Sequence, residues 1–322
     1  MSPLVSIIVP TFNRLTYLRK SLASVFAQTF RDWELLIADD GSGIDTRTYL
    51  QSLQDPVRVR VLWLPHTGRP AVARNAALRA AKGEYVAFLD SDDLWTPTKL
   101  QKQMDSLRSR SNRRWGYTRF VLVDGSGNPT AWQCARSWPV PEGWIFDKLV
   151  RSETVIAVPS VVASRELLQQ VGGFDESLVM CEDYDLWLRL AAQSEVDVID
   201  EPCTLVTRHA EHSGSELISF EDCARVFAKV RKTRGTEHLH AILNEKSAEV
   251  AIGLARSQVA CGDRLSGLRT LIASAPQSWR YRRWWLGTLI TTARALAPQP
   301  VLQMLRSRRP ASAGRARGVP QP

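Results

Sequence analysis

The chain has 322 residues, of which 44% are hydrophobic and 23% charged. That is the balance of a folded globular protein and excludes a globally disordered chain. The net charge of +9 is unevenly spread: residues 264–322 hold eleven Arg, no Lys and no acid, while the first 263 residues keep the other 31 basic groups against all 33 acids, a net of −2. A nucleic-acid-binding domain carries its basic patch on the folded body. This body is nearly neutral, so no nucleic-acid partner is expected, and the basic end suits a membrane surface, an acidic partner or a solubilising tail.

In chain order, the β-branched run at residues 4–10 reads as a buried strand ended by Pro10. Leu15, Leu18, Leu22, Val25 and Phe26 then recur at steps of three and four, predicting a helix over 14–27. Strands are expected at 33–38, 57–63 and 84–89, with a helix at 71–81 between the last two. This alternation predicts an α/β fold with a mostly parallel sheet flanked by helices. Residues 111–160 read as strand pieces broken by Gly and Pro, 164–171 and 183–193 as helices, and 196–206 as a strand. Trp33, Trp63 and Trp187 are read as core. Trp132, Trp138 and Trp144 lie in a loop-rich stretch, where core packing or anchoring competes with stacking on a sugar. From about 218 the chain reads as helical, with weak breaks at Gly235, Gly262 and Ala275-Pro276, and disorder is expected from Arg306. The domains so drawn are 1–217, 218–305 and 306–322. The five cysteines form no C-x-x-C pair, which argues against a zinc site or a disulfide framework. Residues Met1 to Ile7 show no basic stretch ahead of an apolar run, so a cytoplasmic location is expected.

In an open parallel sheet, ligands bind at the carboxyl ends of the strands. Here three such ends run into Pro10-Thr11-Phe12-Asn13, Asp39-Asp40-Gly41-Ser42 and Asp90-Ser91-Asp92-Asp93. Ionised carboxylates are costly to bury alone, so these acids need solvent, a cation or hydrogen-bond donors. Two carboxylates two residues apart, Asp90 and Asp92, can converge on a hard divalent cation and leave positions free for phosphate oxygens.

These residues, with Val5 to Arg14, Ser24 to Phe30, Glu34 to Ser42, Ala73-Arg74-Asn75, Gly83 to Asp93, Gly172 to Glu176 and Glu182 to Arg189, resemble family 2 glycosyltransferases over about residues 4–215. The resemblance implies the nucleotide-sugar-binding glycosyltransferase A fold, followed here by a helical C-terminal extension. It implies that Pro10 and Thr11 lie along the nucleotide, that Asp40 accepts a hydrogen bond from the base, and that Arg74 supports the nucleotide site. Asp92 would hold Mg2+ or Mn2+, with Asp90 near the ribose and the cation. Asp183 would be the catalytic base, and a metal-site histidine is expected at His212 or His209, His212 fitting the spacing better. The implied activity is inverting, metal-dependent transfer from a nucleotide-diphosphate sugar to a glycan or lipid-linked acceptor, in surface polysaccharide biosynthesis. The alternative is a non-catalytic sugar-nucleotide or glycan-binding relative.

Residues 279–309 mix Trp279, Trp284, Trp285, Leu286, Leu289 and Ile290 with Arg and no acid. Two readings stand side by side: a peripheral contact with the inner face of the cell membrane, or helices with the tryptophans in an ordinary core.

Overall fold

The computed structural model describes residues 2–53, 55, 57–110, 112–130, 138–208, 216–233 and 235–297. The chain divides into two compact units, Met1–Leu149 with Glu153–His212, and Val150–Ser152 with Ser213–Pro322.

The first unit is built on one eight-stranded sheet. Its strands are β1 (Val5–Thr11), β2 (Trp33–Asp39), β3 (Val59–Trp63), β4 (Tyr85–Phe88), β5 (Leu94–Trp95), β6 (Arg113–Val123), β7 (Val161–Ser164) and β8 (Glu195–Thr207), in the order β3-β2-β1-β4-β7-β6-β8-β5. The pairings among β3, β2, β1 and β4 are all parallel, as is β6 with β8; β7 is antiparallel to β4 and β6, and β5 to β8. The α/β class and the parallel first half match the sequence reading, and the second half is mixed. Every residue of β2 is buried, and all of β1 except Pro10. That explains their near-continuous apolar runs: a strand covered on both faces has no solvent side to make polar.

Helices α1 (Leu15–Phe26), α2 (Ile44–Leu53), α3 (Pro70–Ala80) and α4 (Lys99–Ser109) connect the first strands. Buried Leu18, Leu22 and Val25 seat α1 in the core with Ile7, Leu35 and Leu100. On α3 the buried side is mostly alanine, Ala71, Ala73 and Ala77, which lets the helix approach β1 and β2 closely enough to bury Arg74 and Asn75 as well. Helices α2 and α4 have no counterpart in the sequence reading, although Leu100, Gln103, Met104 and Leu107 bury one face of α4 at helical spacing. The stretch expected as broken strand pieces instead opens with one unbroken strand, β6, whose Trp115 stacks on Trp187 at 6.1 Å. Then come α5 (Phe146–Val150), α6 (Arg165–Gln170) and α7 (Glu182–Ala191). Trp33 and Trp187 are core residues, but Trp63 is not. It ends edge strand β3 and is 36% exposed, with the Arg47 guanidinium 5.1 Å over its ring.

The second unit holds α8 (Glu216–Lys232), α9 (His240–Ala260), α10 (Arg264–Ser278) and α11 (Arg282–Leu296). Gly235 and Gly262 mark breaks with φ of 81° and 97°, as glycines past helix ends do. The third break falls at Trp279–Tyr281 rather than at Ala275-Pro276. Pro276 costs α10 one backbone bond, but Trp279 N–H still donates to Ala275 O at 3.0 Å, so the last turn closes. Trp284 packs on Ala248 and Ile252, and its Nε1 donates to Ser274 Oγ. The expected 306–322 tail lies outside the described residues.

Candidate active site

Three strand ends, β1, β2 and β4, meet along one edge of the parallel half, since β1 pairs with both β2 and β4. At the β2 end both expected acids are buried and take hydrogen-bond donors, one of the three options that charge alone leaves open, although Asp39 Oδ1 is left without a partner. Asp39 accepts from Ser42 N–H at 3.1 Å. Asp40 is fully committed on Oδ1, which accepts from Thr67 N–H and Thr67 Oγ1 at 2.8 and 3.0 Å; Oδ2 accepts from Gly68 N–H at 2.8 Å. His66 Nδ1 is hydrogen-bonded to the Asp40 backbone O at 2.9 Å and lies 3.1 Å from the same Oδ2, and its ring stacks on Phe12 at 3.9 Å. Asp40 therefore anchors the 66–68 loop, and His66 and Phe12 form an aromatic pair at the β1 end. Sequence reasoning missed the pair, because nothing in the spacing of Phe12 and His66 links them. Thr11 is buried, and its Oγ1 finds no partner in the described structure. Pro10 lies beside it, half-buried.

At the β4 end, Asp90, Ser91, Asp92 and Asp93 form a tight turn in which Asp93 N–H donates to Asp90 O at 3.1 Å. Asp93 is buried and accepts from Thr207 N–H at 2.7 Å. Burial, then the charges of Asp90 and Asp92, push its carboxyl well above the usual carboxylate range. Asp92 pairs with the Arg14 guanidinium from the β1–α1 turn. The carboxylate oxygens of Asp90 and Asp92 are the ligand type a hard divalent cation takes, and a positive ion there would relieve the repulsion that these two charges exert on Asp93. Among the described residues no three acidic, histidine or cysteine side chains converge on one point, so phosphate oxygens and water would complete the coordination sphere. His212, and His209 with it, lie outside the described residues.

Arg74 joins the two sides of the site. It projects from α3, almost wholly buried, with NH2 donating to Asp90 Oδ1 at 2.6 Å and NH1 to Glu182 Oε1 at 2.9 Å. Burial alone would lower its pKa; the charges of Asp90 and Glu182 outweigh that and raise it. Glu182 and Asp183 open α7 with Asp185, three acids in a first turn whose backbone dipole favours negative charge. The Asp183 carboxyl is pushed up to about 7, first by burial and then by the Glu182 charge beside it. Glu182 is thus committed to Arg74, while the Asp183 carboxyl titrates near neutral pH.

The motifs around Arg74 have local reasons too. Asn75 Nδ2 donates to Phe174 O at 2.8 Å, and Phe174 N–H returns to Asn75 Oδ1 at 2.9 Å. Gly173, at φ 68°, would put a Cβ 2.7 Å from that Oδ1. Only glycine suits both the backbone angle and the approach. Of the loop tryptophans, Trp144 is 62% exposed, Trp138 is half-buried, and Trp132 lies outside the described residues.

The model of the family described as "Glycosyl transferase family 2" matches residues 6–113. The chain is 32% identical over 197 residues to UDP-Glc:alpha-D-GlcNAc-diphosphoundecaprenol beta-1,3-glucosyltransferase WfgD of Escherichia coli, covering 61% of this chain and 73% of that one. The chain belongs to glycosyl transferase family 2. Another family relative, TuaG of Bacillus subtilis (strain 168), named for teichuronic acid biosynthesis, is 36% identical over 170 residues; the match covers 52% of this chain and 65% of TuaG, just under two thirds of its length. Staphylococcus aureus TarS, residues 1–349 in complex with UDP-GlcNAc, superposes with a TM-score of 0.64 at 20% identity, over 86% of this chain and 81% of that one, and so shares the fold. The family match spans β1 through the start of β6, the part that carries the strand-end acids and Arg74.

Proposed function

We propose that this chain transfers a sugar from a nucleotide-diphosphate sugar to a hydroxyl of a glycan or lipid-linked acceptor, with inversion and with Mg2+ or Mn2+, in building a surface polysaccharide. The observation that carries the reading is the Arg74 bridge. One guanidinium ties the strand-end Asp90 to Glu182 and so holds Asp183 against the acids that would face the donor. WfgD, whose name gives a UDP-Glc donor and a lipid-diphosphate acceptor, and TuaG support the substrate class. The UDP-GlcNAc held by TarS supports a nucleotide-sugar donor.

In this reading Pro10 and Thr11 flank the nucleotide, the buried Thr11 hydroxyl keeping its hydrogen bond for it. Asp40 has one lone pair left on Oδ2 for the base, and Phe12 with His66 gives the base a flat surface. Arg74 holds Asp90 toward the ribose. Asp92 and His212 would hold the cation, which when bound supplies Lewis-acid neutralisation of the departing diphosphate. Asp183 takes the proton of the acceptor hydroxyl. A base with a pKa of about 7 is ionised at working pH yet strong enough to accept that proton, a contribution of typically 10²–10⁴-fold. One carboxylate base with direct attack at the anomeric carbon gives a single displacement and inversion.

The test is nucleoside diphosphate release from a panel of UDP-, GDP- and dTDP-sugars with Mg2+ or Mn2+, followed by NMR of the product anomer. Turnover with inversion, lost in Asp183→Asn while donor binding persists, is expected. Donor binding without turnover across the panel points instead to the non-catalytic relative, and retention of configuration refutes the single displacement.

A further inference from the structure

The second unit carries an apolar face that its own packing does not use. Helix α11 has 15 residues and buries only Trp284, Gly287, Thr291 and Ala295, one stripe along its length. On the other side, Trp285, Leu286, Leu289 and Leu296 are between 57% and 70% exposed, with Ile290 beside them at 37%. At 100° per residue these five fall within one arc of about 140°, and Arg282 projects from the same arc. Trp279, 54% exposed, extends the patch from the α10–α11 corner: Trp285 Nε1 donates to Trp279 O at 2.7 Å, and the Trp285 ring packs edge-on against buried Trp284 at 4.9 Å. The exposed Trp285 indole is thus fixed in place rather than loose on the surface.

The charge around this patch selects what can cover it. Arg280 lies 5.1 Å from the Trp279 ring, Arg283 and Arg294 border the arc, and no acid occurs from residue 264 onward. Arg283 meets Glu249 of α9 at 3.4 Å. A second copy of the same face would bring arginine against arginine across a two-fold axis, with no acid in α10 or α11 to answer it. A polyanion without apolar groups would leave the leucines in water. What satisfies both is a surface that is apolar within and anionic at its boundary. Indoles favour that boundary as well. At about 22 Å, α11 is too short to cross a bilayer of about 30 Å, and no described helix is long and apolar enough to span one.

We propose that the Trp279–Leu296 face of the second unit is a docking surface for anionic lipid, with α11 lying in the plane of the interface and its leucines and tryptophans inserted among the headgroups. Of the two readings open from the sequence, each takes one tryptophan of the pair: Trp284 is core, and Trp285 is the lipid contact.

The experiment is co-sedimentation of the full chain with vesicles of phosphatidylglycerol and phosphatidylcholine (1:1) or of phosphatidylcholine alone, without donor or acceptor, so that it reads binding independently of sugar transfer. Binding to the anionic vesicles at 50 mM salt is expected, and it should weaken at 500 mM and on neutral vesicles. L286E/L289E, whose positions are exposed and whose fold is checked by circular dichroism, should lower the partition coefficient at least tenfold. Arg282→Gln with Arg294→Gln should lower it about fivefold per charge. No binding to anionic vesicles at low salt overturns the proposal, as does equal binding by L286E/L289E. A concentration-dependent dimer that this double variant dissolves, in a chain that ignores vesicles, also overturns it and assigns the face to a second copy.

Discussion

Changing pH, and changing the charge next to Asp183, tests the site most directly. With a carboxyl pKa of about 7, Asp183 is about one-tenth ionised at pH 6, half at pH 7 and nine-tenths at pH 8. If it is the base, kcat/KM rises about tenfold from pH 6 to pH 8 and then levels. Glu182 is the second cause of the raised pKa, after burial. In Glu182→Gln the like charge is gone, and Arg74, no longer neutralised on that side, also favours ionised Asp183. Both changes act in the same direction, so the acidic limb moves to lower pH by on the order of one unit. Gln Oε1 can still accept from Arg74, which keeps the bridge and separates the charge effect from collapse of the site. The assay is the initial rate of nucleoside diphosphate release from the best donor between pH 5 and 9, with donor affinity measured over the same range by calorimetry. A flat kcat/KM from pH 5.5 to 8, or a Glu182→Gln limb that stays put or moves to higher pH, refutes Asp183 as a base tuned by Glu182.

Further outcomes follow from the same contacts. Asp183→Asn should raise Tm at pH 8 but not at pH 4: a carboxyl whose pKa rises on folding stabilises fully below its unfolded value near 4 and loses that stability as pH climbs to about 7, a difference on the order of 2–4 kcal/mol. Asp92→Asn should nearly abolish turnover and lower Mn2+ affinity, read by calorimetry on the full chain; full wild-type turnover in excess chelator would contradict the metal role. Arg74→Met leaves Glu182 and Asp90 without their buried partner and should cost about 3 kcal/mol in urea unfolding. Gly173→Ala, at φ 68° with a Cβ 2.7 Å from Asn75 Oδ1, should cost about 1–3 kcal/mol.

The first half of the sheet was legible because its central strands β1 and β2 are buried along almost their whole length. In β1 and β2 apolar residues fill nearly every position, and α1 shows its core side at Leu18, Leu22 and Val25. Helix α2 was hidden by its sequence, with only Thr46 and Leu50 buried in ten residues, too sparse for a clear 3.6-residue period. Helix α4 was hidden by Lys99 and Gln103, polar residues on its buried side. Lys99 Nζ sits 3.9 Å over the Trp95 ring, and burial lowers its pKa well below the usual lysine range, so a long basic side chain occupies a core position and erases the apolar pattern. The Trp63 error has the opposite cause: an aromatic residue at the end of an edge strand reads as core, yet only one side of it has anything to pack against.

The site divides along a similar line. Residue type and strand-end position were enough to pick out Asp40, Asp90 and Asp92, because isolated carboxylates at such ends need partners; Arg74, inside a helix, came only from the family resemblance. Which partners they take is a matter of topology. A carboxylate accepts from whichever N–H groups the fold brings within 3 Å, and for Asp40 these belong to a loop 27 and 28 residues on. For Arg74 one partner is 16 residues away and the other 108, a separation no local pattern can register. That second contact matters most for the chemistry. Glu182 acts on Asp183 through its charge, and the buried Arg74 guanidinium holds that carboxylate in place. In the proposed mechanism the Glu182-Asp183 pair divides the labour: Glu182 is hydrogen-bonded to Arg74, and its charge, added to burial, raises the neighbouring Asp183 carboxyl to about 7, where a base can exchange a proton.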